Sequence, residues 1–171
     1  MKGSFLALAF MASCPSYTGR TLVVDTRDHS AEIHWVLVGE AASDLEDVIR
    51  DYLEGDELEK SHPAWTLTDK RLEPVGADLH GVAQLQWTHL GDVGFLRAAR
   101  PGYAQRFCPP AKEVVTSANA HARTPSGCVL WKPGVKILRV ETMVRPHSDE
   151  SSLLPWYQRR ADPSVVGSTG R

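Results

Sequence analysis

The sequence predicts an α+β fold in which an antiparallel sheet carries helices packed on one face. Three observations indicate this class. Residues 43–59 have the apolar period of a surface helix, residues 32–38 are almost continuously apolar like a buried strand, and further strand-like runs are separated by turn residues. The length of 171 residues and the hydrophobic content of 42% are typical of one soluble globular domain with a sizeable core.

The segment 43–59 contains the clearest helix signal. Ser43 and Glu46 have the spacing of a capping box, and Gly55 is a natural end for a helix. We expect the apolar residues of one helix face to be buried against the strand at 32–38. These residues are Leu45, Val48, Ile49, Tyr52 and Leu53.

The remaining segments read mainly as strands. The predicted strands are 4–14, 20–26, 32–38, 94–99, 129–131 and 135–144, and a turn at 132–134 joins the last two. Residues 113–122 are expected to form a short helix. Residues 74–107 stay undetermined, because their apolar residues suit a helix face while their glycines oppose a helix.

The charges are unevenly distributed along the chain. Residues 40–59 contain nine acids and one arginine, whereas residues 97–171 contain twelve Lys and Arg against five acids. Either these regions are two solvated faces, or they attract each other within a protomer or between protomers. Because the basic half has no dense Lys/Arg run and no interleaved aromatic residues, nucleic acid is not favoured as a partner. No stretch of the sequence is long enough to span a bilayer.

Three cysteines, Cys14, Cys108 and Cys128, form no Cys-x-x-Cys motif, which argues against a disulfide scaffold. We therefore expect a cytoplasmic chain. An alternative comes from residues 1–14, where a lysine, an apolar run and Ala-Ser-Cys resemble a bacterial lipoprotein signal with Cys14 as the lipidated residue. In that case Cys108 and Cys128 would be free to pair in an oxidising compartment.

Short motifs follow one another over about residues 5–145. They are 10–14 (FMASC), His29 leading into 36–40 (VLVGE), Asp44-Leu45, 58–62 (LEKSH), 116–119 (TSAN) and 137–142 (ILRVET). In this order they resemble the 6-pyruvoyl-tetrahydropterin and 6-carboxytetrahydropterin synthase family, which has the tunnelling fold. The resemblance implies a tunnelling-fold-like domain over 1–150, with an irregular insertion at about 66–112 that the family lacks, and a polar tail over 151–171.

The same resemblance implies a substrate site. A glutamate in the last strand of the family anchors the pterin through two acceptor oxygens, and Glu141 takes this position. Thr116 and Ser117 correspond to further substrate-binding residues. His62 corresponds to the histidine of the catalytic dyad, but Ser61 stands where the family has an aspartate.

The metal site of the family is only partly represented. Its three zinc-binding histidines correspond to Cys14, Arg27 and His29, and an arginine does not bind zinc. Only Cys14 and His29 remain as metal ligands, so zinc is conceivable as a cofactor but not favoured. The family's cysteine base also has no counterpart, which leaves catalysis in doubt.

Two functions of different classes follow. The first is binding of a pterin- or purine-like heterocycle through Glu141, with weakened or changed catalysis. The second is a non-enzymatic structural or assembly subunit of a homo- or hetero-oligomer. In either case we expect a homo-oligomer, because an apolar central strand and charge-separated halves leave sheet edges that need covering.

Overall fold

Long alternating strands dominate the structure, a computed structural model that describes residues 16–144 and 149–162. The large sheet contains β1 (Tyr17–Asp25), β2 (Ser30–Gly39), β3 (Trp65–Val75), β4 (Asp78–Trp87), β7 (Glu113–Ala118), β10 (Ile137–Val144) and β11 (Ser151–Ser152). Its order is β3-β4-β2-β1-β10-β7, and β11 pairs with the end of β2. All of these pairs are antiparallel. The apolar run at 32–38 lies in β2 between two neighbours, as its composition predicts for a central strand.

A small antiparallel sheet forms the second layer. It contains β5 (Phe95–Arg97), β6 (Gln105–Phe107), β8 (Ala122–Arg123) and β9 (Val129–Trp131) in the order β5-β6-β9-β8. Between β6 and β8 the chain leaves this sheet and contributes β7 to the edge of the large one. A disulfide joins Cys108, directly after β6, to Cys128, directly before β9, and so encloses this excursion together with β8. The expectation against disulfides is thus wrong for this pair, which is the one that the alternative of an oxidising compartment allows.

The helices are short. They are α1 (Ala42–Asp47), a π-helical segment (Val48–Glu54), α2 (Glu57–Ser61), a 3-10 turn (Leu90–Val93) and α3 (Leu154–Ala161). The described residues are thus mostly antiparallel sheet with few helices, in agreement with an α+β class dominated by its sheet.

Both the helices and the small sheet cover one face of the large sheet, which we call the inner face. On the side of β2 and β4, the Tyr52 ring packs edge-on against Trp35 and lies beside Gly81. On the side of β1, the Arg20 guanidinium lies 5.9 Å from the centroid of the Phe107 ring of the small sheet. The opposite, outer face of the large sheet carries mainly polar side chains. One row across it contains Arg71, Val82, His34, Thr21, Glu141 and Ser117.

The predicted apolar stripe is confirmed. Four of its residues are buried and Leu53 is partly buried. The helical segment ends at Gly55, as predicted, but its second half, Val48–Glu54, is π-helical, and Glu57–Ser61 form a separate short helix. The start of the segment also differs, since the Asp44 carboxylate, rather than the Ser43 hydroxyl, accepts hydrogen bonds from the backbone N–H groups of Glu40 and Ala41.

The predicted helix at 113–122 is wrong. This segment forms β7 and β8, and the resemblance of 116–119 to a helix start therefore falls on a strand. Glu113 and Val115 are buried while Val114 and Thr116 are exposed, which is the two-residue alternation of a strand. The valines and the threonine also favour extended backbone.

Several other segments differ from their expectations. Residues 66–112 contain four strands, including the long β3–β4 hairpin, whose turn places Gly76 at a positive φ of 61°. The segment expected as a polar tail contains β11 and α3 and buries Leu153 and Leu154. The predicted strand at 4–14 lies outside the described residues.

Candidate functional site

The structure brings together the three residues predicted to bind substrate. Ser117 lies directly opposite Glu141 in the pairing of β7 with β10. The register shifts at this point, and the Thr116 hydroxyl donates a hydrogen bond of 3.2 Å to the backbone carbonyl of Glu141. Thr116 and Ser117 lie on the edge strand of the large sheet, and Glu141 lies on the strand beside it. Such irregularities are common beside binding sites, because they redirect side chains.

The Glu141 carboxylate is already engaged with a cation. Its Oε1 accepts hydrogen bonds from Nε and Nη2 of Arg139, at 3.2 and 2.7 Å. Its side chain is one-third exposed on the outer face. The carboxylate is accessible to solvent. A heterocycle that binds it would have to share it with the Arg139 guanidinium or displace that group.

His62 does not join this group. It lies at the carboxyl end of α2 and stacks on Trp65 with ring centroids 3.8 Å apart. Its Nδ1 lies 3.2 Å from the Leu58 carbonyl oxygen, and burial lowers the pKa of its imidazole, with a smaller contribution from the positive charge of Arg20. Because Arg20 belongs to the inner face, His62 is separated from Glu141 by the large sheet.

The predicted metal ligands are not assembled in the described residues. Cys14 lies outside them. His29 lies in the β1–β2 turn with a positive φ of 52° and stacks on Trp87 at 4.5 Å, while Arg27 pairs with Asp25. Within residues 16–144 and 149–162, no group of three or more His, Cys, Asp or Glu side chains is arranged to hold a metal ion.

A buried polar cluster joins β1 to β7. Arg20 Nη2 donates to Glu113 Oε2 at 2.9 Å, and the two side chains are 4% and 3% exposed. The Tyr17 hydroxyl donates to the other carboxylate oxygen at 2.6 Å. Burial, together with this carboxylate, raises the pKa of Tyr17 well above its usual range. Both oxygens of Glu113 therefore have donors, and this cluster is structural in character.

The outer face carries a second carboxylate whose acceptors are occupied. Glu32 accepts a hydrogen bond from the Gln84 amide at 2.8 Å, and its Oε1 lies 2.6 Å from His34 Nε2. These contacts lower the pKa of Glu32. His80 lies edge-on to His34 at 5.9 Å, and burial followed by the charge of His34 lowers the pKa of its ring.

The small sheet and its loops present an unusual concentration of cations. Residues 97–136 contain seven Lys and Arg and a single acid, Glu113, which is buried against Arg20. Six of the cations are exposed and Arg106 is half-buried in the centre of β6. We call these residues the basic surface: Arg97, Arg100, Arg106, Lys112, Arg123, Lys132 and Lys136.

The basic surface differs from the rest of the chain in how its cations are partnered. Elsewhere the structure describes nine Lys and Arg; Arg159 lies over the Trp156 ring and the other eight form ion pairs. These eight are Arg20, Arg27, Arg50, Lys60, Lys70, Arg71, Arg139 and Arg160. None of the seven cations of the basic surface has an ion-pair partner among the described residues. The buried Nε of Arg106 also has no hydrogen-bond acceptor there.

Three of these cations lie at one end of the small sheet. Arg97 ends β5, Arg100 lies in the β5–β6 connection, and Lys132 follows β9, whose Trp131 carbonyl accepts from the Ala104 N–H. Beside them is an open depression of about 630 Å³. Its lining includes Leu96, Arg97, Tyr103, Gln105 and Pro133. This end combines positive charge with an exposed apolar side chain, Leu96.

The sequence shows an excess of Lys and Arg over residues 97–171 but does not show which of them form the basic surface. The count over residues 97–171 includes paired residues such as Arg139 and Arg160, so it does not distinguish the unpaired cations from the paired ones.

Comparison with protein-family models, with curated proteins and with solved structures gives no match for this chain. Among the described residues, no helix has the length and apolar character needed to cross a membrane.

Proposed function

We propose that this chain is a non-enzymatic binding or assembly subunit, which uses the basic surface of its small sheet to bind an anionic macromolecular partner. The observation that carries the proposal is the split in ion pairing, in which eight cations elsewhere are paired and the seven of the basic surface are not.

The physical argument concerns repulsion. Like charges that lie close together, as Arg97, Arg100 and Lys132 do at one end of the small sheet, raise the local potential and cost stability at low ionic strength, while an anionic partner would remove this cost. Arg106 adds to the same positive potential from the centre of β6, where it is half-buried and has no ion-pair partner among the described residues.

A protein partner suits the surface better than nucleic acid does. The lining of the depression contains one aromatic ring that is not fully buried, Tyr103, and the Arg100 guanidinium already lies 5.3 Å from its centroid. Non-specific binders of single strands usually offer successive aromatic platforms. Carboxylates of a protein need no such platform.

The test is retention on a column of immobilised heparin, a sulfated polysaccharide, at low ionic strength. We expect the protein to be retained although its net charge is −2. The variant Arg97→Gln/Arg100→Gln/Lys132→Gln should elute at distinctly lower salt. The control Arg27→Gln/Arg71→Gln/Arg139→Gln removes three cations from the outer face and its turn and should elute near the wild type. Equal elution of both variants would refute the proposal.

Heterocycle binding is a second candidate, and it is favoured by one observation. Glu141, Ser117 and Thr116, which the resemblance to the pterin enzymes assigns to substrate, meet at a register shift beside the sheet edge. The separation of His62 from this group and the incomplete metal site favour binding over catalysis.

The disulfide bears on the cellular compartment of the protein. A cytoplasmic location was expected, but disulfides are rare in reducing compartments, so we infer that the chain folds in an oxidising one. Thiol titration of the unreduced, denatured protein, recovered from its natural host with thiols trapped, should find Cys108 and Cys128 blocked. Free thiols at both positions would support the cytoplasmic location.

A further inference from the structure

We propose that the anionic partner of the basic surface is the acidic helical segment of a second copy of this chain, so that two copies form a two-fold dimer. This inference rests on the proposed function and identifies its partner.

The helical segment carries the negative charge that would complement the basic surface. Residues 40–59 contain nine acids and one arginine, and they include α1, the π-helical segment and α2. Glu40, Asp47 and Glu54 are exposed. Glu40 and Glu54 have no ion-pair partner among the described residues, and Asp47 shares Arg50 with Asp51. The chain therefore carries two oppositely charged surfaces although its total charge is close to zero.

The two surfaces do not neutralise each other within one chain. The acids of 40–59 pair instead with cations of their own segment or of β3 and α3, namely Arg50, Lys60, Lys70 and Arg160. No ion pair between described residues joins this segment to the basic surface. The favourable contact between them therefore requires another molecule.

The position of the two surfaces favours a closed pair. The helices and the small sheet lie side by side on the inner face of the large sheet. The surfaces that both expose to solvent are therefore on the same side of the molecule. When two copies face each other across a two-fold axis, the basic surface of each can lie against the acidic segment of the other. Both contacts then form at once, and exposed Leu96 adds an apolar side chain at the basic end.

The experiment uses two neutralised variants of the full chain. The basic variant is Arg97→Gln/Arg100→Gln/Lys132→Gln, and the acidic variant is Glu40→Gln/Asp47→Asn/Glu54→Gln. All six residues are exposed, and circular dichroism with thermal melting checks that each variant is folded. The change to neutral residues, rather than reversal of charge, prevents a new attraction between the altered surfaces.

Sedimentation velocity then measures association. We expect the wild type to be a dimer at low ionic strength and to dissociate progressively towards about 0.15 M, where the Debye length is about 8 Å. Each variant alone should dimerise at least about tenfold more weakly. An equimolar mixture should regain a dimer of intermediate affinity, because one intact basic surface meets one intact acidic segment.

Other outcomes overturn the inference in distinguishable ways. A wild type that stays monomeric at all salt concentrations, or variants that dimerise as the wild type does, would exclude the acidic segment as the partner. Species larger than a dimer would exclude the two-fold arrangement. If the basic variant also loses its retention on heparin while the wild type is monomeric, the proposed function stands and this inference alone falls. Unchanged heparin retention would refute both.

Discussion

Arg20 of β1 and Glu113 of the edge strand β7, 93 residues further along the chain, form an ion pair that is almost completely shielded from solvent and spans the intervening strand β10. Removing one member of a buried pair leaves the other charge unpaired in a medium of low dielectric constant. The pair therefore helps to hold the edge strand β7 in its place in the large sheet.

The first prediction concerns this pair. Glu113→Gln should lower the free energy of unfolding by about 3–5 kcal/mol, measured by denaturant titration. The control is Glu141→Gln, the same substitution in the exposed pair with Arg139, which should cost less than about 1 kcal/mol. Equal losses would mean that the burial of Glu113 does not determine its contribution.

The second prediction compares two tyrosines. Tyr17 donates to Glu113, whereas the buried hydroxyl of Tyr52 has no hydrogen-bond partner. Tyr17→Phe should therefore destabilise by about 1–3 kcal/mol, while Tyr52→Phe should be neutral or stabilising. Chemical denaturation of both variants at neutral pH tests this difference.

The third prediction follows from the raised pKa of both tyrosines, which burial causes first in each case. A pKa that is higher in the folded state stabilises the fold fully below the unfolded value of about 10, and this contribution is lost as pH rises through the folded value. We expect the free energy of unfolding to fall above about pH 10, and to fall less steeply in Tyr52→Phe. A parallel decline in wild type and variant would show that Tyr52 does not titrate differently in the two states.

The fourth prediction concerns the apolar stripe of the helical segment. Ile49 is 8% exposed and Leu53 is only partly buried. Ile49→Ala should cost about 2–5 kcal/mol, and Leu53→Ala should cost less, because its site is partly solvated already. A larger loss at Leu53 in denaturant melts would contradict the observed packing.

The fifth prediction tests heterocycle binding. Calorimetric titration with neopterin, biopterin and guanine should show binding that Glu141→Gln weakens about tenfold, because an amide replaces one acceptor oxygen by a donor. Arg139→Gln serves as the control, since it frees the carboxylate from its cation and should not weaken binding in the same way. If no compound binds below millimolar concentration, Glu141 is structural.

Local pattern explains what the sequence could predict. The stripe from Leu45 to Leu53 and the apolar run of β2 each have a pattern that one element can satisfy alone, and both bury side chains at the inner face of the large sheet. The failure at 113–122 has a long-range cause. Glu113 can point inward only because Arg20 and Tyr17 meet it there, and a local window contains neither residue.

The Glu141 group and the basic surface also differ in whether a local sequence pattern can predict them. The motif resemblance assigns Glu141, Thr116 and Ser117 to substrate, and the pairing of β10 with β7 makes these residues neighbours. The basic surface depends instead on which acids fold near which cations. A charge count cannot tell paired Arg160 from unpaired Arg123, because that difference appears only when α3 packs against α1 and brings Arg160 to Glu46.

The excursion of the chain from the small sheet to β7 and back has a consequence for dissecting this protein. Because β7 belongs to one sheet while β6 and β8 belong to the other, no single cut in the chain yields two fragments that each keep a complete sheet. The Cys108–Cys128 bridge closes this excursion into a covalent ring. Cleavage by a protease between β7 and β8 would therefore leave both products attached, and they would part only after a thiol reductant is added.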